Sequence, residues 1–102
     1  MDLADVSGIA LGLDGVKESR AGGSLRWTLD GRLVARQHDE SSIVIRIGFD
    51  ERERLLRTHP DLFFVPPRFD AHMKVVLRLA DADSAVVESA LRSAWNFQRD
   101  AD

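Results

Sequence analysis

An α+β fold, with helices packed on one face of an antiparallel meander sheet, follows from the spacing of the apolar residues. Near both ends of the chain they recur every three to four positions, the period of a helix with one buried stripe. Between those ends the period changes to two, the mark of strands with one covered face. The sequence is 102 residues long, contains no internal repeat and no low-complexity tract, and reads as one domain over 1–102. Its 44% hydrophobic and 30% charged residues are globular values and argue against disorder.

The first helix is expected over 2–13, where Leu3, Val6, Ile9, Ala10 and Leu13 make one stripe. Asp14-Gly15 stops it. After a weaker strand around 17–21, Gly22-Gly23 turns into Ser24–Leu29, which alternates polar and apolar. Asp30-Gly31 is the preferred pair for a two-residue hairpin. Arg32–His38 returns, Asp39-Glu40-Ser41 turns again, and Ser42–Ile47 is β-branched and alternating. The second helix opens at Asp50 as its cap, with Glu53 at the reciprocal position and Phe49 as a staple, and ends near Thr58 before Pro60. Residues 61–72 read as irregular, with Phe63-Phe64 in the core and Pro66-Pro67 fixing an extended stretch. Met73–Leu79 is the last strand. The closing helix spans 84–98, with Val87, Ala90, Leu91, Ala94 and Trp95 facing inward.

Alternation sends Leu25, Trp27, Leu29, Leu33, Ala35, Ile43, Ile45, Ile47, Val75, Leu77 and Leu79 under the helices. The opposite face then carries Arg26, Thr28, Arg32, Val34, Arg36, His38, Val44, Arg46, Lys74, Val76 and Arg78. Each of these strands supplies a cation to it, and no outward position within them holds a carboxylate. Neighbouring strands lie about 4.8 Å apart, within the roughly 8 Å screening length at physiological salt, so unpaired guanidiniums there repel one another. Either the loop acids Asp30, Asp39, Glu40 and Asp81 fold over them, or the face awaits an anion. Arginine's forked donors suit phosphate. Aromatic residues that stack bases would have to stand on this same face, and none is placed there by the alternation.

The remaining chemistry is sparse. Without Cys there are no disulfides, thiolates or Cys-ligated metals. His38-Asp39-Glu40, Asp70/His72 and His59 lie on turns or at element ends and do not read as a convergent metal site. Phosphate-binding loops and the GxSxG elbow are missing, and no nucleophile has a base beside it. The expectation is a non-enzymatic protein with no cofactor. No apolar run reaches the roughly 20 residues of a membrane span, and the acidic Met1–Asp5 start does not resemble a signal peptide, so a cytoplasmic location is expected. The net charge of −3 makes any basic surface local.

The whole chain resembles the MmcQ/YjbR-like family of small bacterial proteins over roughly 3–99. The resemblance rests on Ala10–Val16 after the first helix, on the Gly31–Ala35 strand, and on Asp50–Leu56 followed by Pro60–Phe64. Val75–Leu77, Asp83, Ala90-Leu91 and Ala94-Trp95 complete it. Two positions depart from the family pattern. Asp14 stands where Pro is usual, and His72-Met73-Lys74-Val75 keeps the His and Val of a His-Gly-Trp-Val stretch without its Gly and Trp. What the resemblance implies is a CyaY-like (frataxin-like) two-layer sandwich and DNA binding. It does not carry over iron binding, because the first helix offers only Asp2, Asp5 and the following Asp14.

Three functional readings result. The leading one is a DNA-binding protein whose contacts are Arg26, Arg32, Arg36, Arg46, Lys74 and Arg78. A second is a protein-interaction module or homodimer joined through an apolar strip of Val34, Val44 and Val76 on the open sheet face. A third is a small-anion clamp of Arg26, Arg36, Arg46 and Arg78.

Overall fold

The computed structural model describes residues 1–101. Its elements are α1 (Leu3–Leu11), β1 (Val16–Ala21), β2 (Ser24–Leu29), β3 (Arg32–Asp39), β4 (Ser42–Arg46), α2 (Phe49–Thr58), β5 (Phe63–Phe64), β6 (Lys74–Arg78) and α3 (Ser84–Arg99). The strands form one antiparallel sheet in the order β1-β2-β3-β4-β6-β5. The expected α+β class and meander are therefore present, with the short edge strand β5 added inside the stretch read as irregular. Helices α1 and α3 lie on one face of the sheet, and Leu55 of α2 joins the same core.

Local chemistry sets the element ends. Asp2 caps α1, accepting from Asp5 N–H at 2.9 Å, while Asp5 accepts from Asp2 N–H at 3.0 Å. That reciprocal pair fixes the start of α1. At the first hairpin Asp30 (φ 52°) and Gly31 (φ 79°) both take the left-handed conformation that a two-residue turn needs. The second helix starts two residues earlier than expected. Gly48 is its N-cap, Phe49 is already helical, and Glu51 turns to Arg54 and to Ser93 of α3 rather than back toward the cap. Asp83 caps α3, accepting from Ala85 N–H at 2.7 Å.

The core under the helices contains Trp27, Ile43, Ile45, Val75, Leu77, Leu79, Val87 and Leu91, all fully or almost fully buried. Leu25, Leu29, Ala35 and Ile47 join it as alternation predicts. The register of β3 shifts twice, against β4 between Gln37 and Asp39 and against β2 near Val34, and the second of these departs from that pattern. Trp27 pairs with Ala35 but Thr28 pairs with Leu33, so Val34 is an extra residue, a β-bulge. Val34 consequently packs in the helix-side core, against the expectation that it faces outward. Before the bulge the faces exchange. Leu33 shares a side with Thr28 and leaves the covered set, while Arg32 shares a side with Leu29, toward the helices.

Candidate nucleic-acid interface

Strand register assembles the open face. Ser19, Arg26, Arg36, Val44, Val76 and Phe64 stand directly opposite one another in succession and form a single row across the whole sheet. Arg46 and Lys74 are paired two residues along one side of this row, and Ser42 and Arg78 are paired on the other. Five of the expected cations, Arg26, Arg36, Arg46, Lys74 and Arg78, therefore share this face.

Arg32 does not share it. The bulge at Val34 turns it to the helix side, where its Nη1 donates to Ala101 O at 2.6 Å and to Gln98 O at 3.2 Å. It thus satisfies carbonyls at the C-terminal end of α3, where a cation is also favoured by the helix dipole. Gln98 answers by donating from Nε2 to Leu33 O at 2.6 Å. Arg32 is removed from the DNA-contact set on this ground.

The face is not bare sheet. Between β5 and β6 the chain returns across it. Pro67 starts a single 3-10 turn, Pro67–Phe69, as its fixed φ favours. This turn lays Phe69 over Val44 and Val76. Both valines are fully buried and Phe69 is 6% exposed, so the expected apolar strip is absent from the surface. Partly exposed Phe64 packs onto the same cluster from the edge strand. The aromatics that alternation did not place on this face are therefore present, and Phe64 is on it because its neighbour Phe63 faces the core.

Cations ring these aromatics. Phe69 has the charged ends of Arg68, Lys74 and Arg36 at 4.7, 5.3 and 5.8 Å from its ring centre. Arg78 lies 4.0 Å from the centre of Phe64. The His38 ring meets Phe64 and Phe69 edge-on at 6.5 and 6.4 Å. Arg68 is a functional candidate that periodicity did not find. Its signal is local, a cation beside an aromatic directly after a Pro-Pro pair.

Among the described residues no carboxylate is in ion-pair contact with these cations: the ion pairs there are Arg52–Glu53, Arg54–Glu51, Arg92–Glu88 and Arg99–Asp100. Asp39, the acid closest in sequence to His38, instead accepts from Ser41 N–H at 2.9 Å. Burial, then the charges of Arg68 and Arg26, lowers the pKa of Arg36 from its ordinary value. Burial, then Arg36, Arg46 and Arg68, does the same to Lys74. Arg36 and Lys74 thus each feel like charges beside them, Arg36 from Arg68 and Arg26, and Lys74 from Arg36, Arg46 and Arg68.

The turn that carries Arg68 and Phe69 is held from behind by Arg52. This α2 side chain is 7% exposed, and its Nη1 donates to the carbonyls of Phe69, Asp70 and His72 at 3.3, 3.1 and 2.9 Å. No local pattern marks Arg52 for this role, because its acceptors lie 17 to 20 residues away along the chain.

Elsewhere the surface offers less. A groove between α2 and α3, lined by Ile47, Phe49, Met73 and Phe97, has the acids Asp50 and Asp100 at its rim and suits no polyanion. Among the described residues no three His, Asp or Glu side chains converge on a common point, and no helix is long and apolar enough to cross a membrane. Comparison with protein-family models, curated proteins and solved structures gave no match.

Proposed function

We propose that this protein is a non-enzymatic DNA-binding module that holds the phosphate backbone on its open sheet face. The observation that carries the proposal is that strand register and the Phe69 ring gather Arg26, Arg36, Arg46, Arg68 and Lys74 on one face, with no carboxylate in ion-pair contact with them among the described residues. A cluster of this kind is costly to the free protein, and an anion with several negative charges relieves the cost. From β2 to β6 the cations span three strand spacings, about 14 Å. That length of duplex axis carries about eight phosphates, roughly half of them facing one side. The resemblance to the MmcQ/YjbR-like family supports the same ligand. Phosphate contacts of this type give affinity with little sequence reading. The competing self-association reading loses its main support, because Val34, Val44 and Val76 are all buried within one chain.

The test is fluorescence anisotropy with a labelled oligonucleotide at low salt. Arg36→Glu and Arg46→Glu should each weaken binding by at least roughly tenfold. Arg32→Glu, on the helix side, should leave it within about twofold. Absence of binding by the unaltered protein, or equal losses in all three variants, contradicts the proposal.

A further inference from the structure

We infer that the preferred ligand is single-stranded DNA, with one base stacked on the Arg78–Phe64 pair beside the phosphate-binding cluster. The inference deepens the DNA-binding reading and rests on it.

The first argument is shape. Direct reading of duplex DNA needs an element that enters the major groove, about 12 Å wide, such as a helix or a two-stranded ribbon. The cations here stand on the broad face of a six-stranded sheet, in a molecule about 30 Å across. Such a face reaches backbone phosphates and is kept from base edges by its own width. A single strand has no such barrier, because its bases can turn toward the protein while its phosphates follow the charges.

The second argument is the separation of two kinds of group on one surface. Arg36, Arg68 and Lys74 surround Phe69, whose ring is buried under them and cannot be reached by a base. Arg78 stands apart from it, on the far side of the row from Lys74, exposed, and 4.0 Å from the ring centre of Phe64. Phe64 is on a two-residue edge strand, and the His38 ring braces it edge-on. An exposed guanidinium held against an aromatic ring presents a planar π-surface to solvent at fixed height, and nucleobases stack on such planes. In this arrangement Arg36, Arg46, Arg68 and Lys74 hold phosphates. Arg78 is a stacking group, and Phe64 and His38 position it.

Charge-preserving variants separate stacking from phosphate attraction. Phe64→Leu keeps an apolar cover over Val76 and removes the ring. Arg78→Lys keeps the charge and removes the plane. Anisotropy is measured with a thymidine 20-mer and with a 20-base-pair duplex, across a range of salt. The unaltered protein should prefer the single strand, by about tenfold. Each variant should lose roughly tenfold on the single strand and less than about twofold on the duplex, with an unchanged salt slope. Equal affinity for the two DNAs, or variants that bind the single strand as the unaltered protein does, overturns the stacking site alone. Failure to bind either DNA removes the DNA-binding reading with it.

Discussion

Arg52 and Arg32 have their charge taken up by backbone carbonyls, a use that neither residue type nor position announces. A buried guanidinium needs several acceptors to offset its lost hydration. Arg52 finds them in the carbonyls of Phe69, Asp70 and His72, with Glu53 Oε2 at 3.1 Å from its Nε and the Phe49 ring 4.9 Å away. Replacing it by Met would leave those carbonyls without their donor. We expect Arg52→Met to lower stability by about 3 kcal/mol in urea denaturation, and a loss below about 1 kcal/mol would contradict the anchoring role. Arg32→Ala removes only a partly exposed helix-end contact and should cost about 1 kcal/mol, with DNA affinity unchanged. The two arginines thus separate stability from binding within one chain.

Elements explain which parts of this arrangement can be read from sequence. Strands β2, β4 and β6 alternate cleanly, and Arg26, Arg46, Lys74 and Arg78 all face the side that alternation assigns them. Strand β3 looks equally regular, yet the extra residue at Val34 reverses the faces of Leu33 and Arg32. A bulge leaves no periodic signature when the residues on both sides of it are aliphatic. The stretch from Phe63 to Met73 was illegible for a different reason. Its geometry comes from a two-residue pairing with β6 and from Arg52 some 17–20 residues away, and neither is a local preference. The contact between α2 and α3 yields a pH prediction. Hydrogen bonding from Arg54, and then from Ser93, holds the Glu51 carboxyl below the usual glutamate range. A carboxyl with a lowered folded-state pKa contributes stability above its unfolded value and loses it as the pH falls through the folded value. Stability should therefore decline as the pH drops below 4.5, and Glu51→Gln should make the decline shallower when unfolding is followed by circular dichroism. An identical acid limb in that variant would contradict this.

At the scale of the whole molecule the governing feature is asymmetry of charge. The chain is acidic overall, at −3, yet its open sheet face gathers cations with no acid paired to them among the described residues. Natural proteins tolerate such local cost where binding requires it. Lys74 makes the cost measurable. Burial and three neighbouring arginines lower its pKa, so its charged form is disfavoured in the folded state. The sign is opposite to that of a paired lysine. The penalty is present below the folded value and is relieved as the pH rises toward 10.5. With no Tyr or Cys to titrate in that range, the folded protein should gain stability there relative to Lys74→Gln, as read by urea midpoints at low salt. Parallel curves for the two proteins would contradict the repulsion. The most direct test of the central claim is the salt dependence of DNA binding by the unaltered protein. Release of counterions from about four phosphates of a single strand predicts a log–log slope near −2.8. A slope near zero, or no binding at the lowest salt, would contradict it.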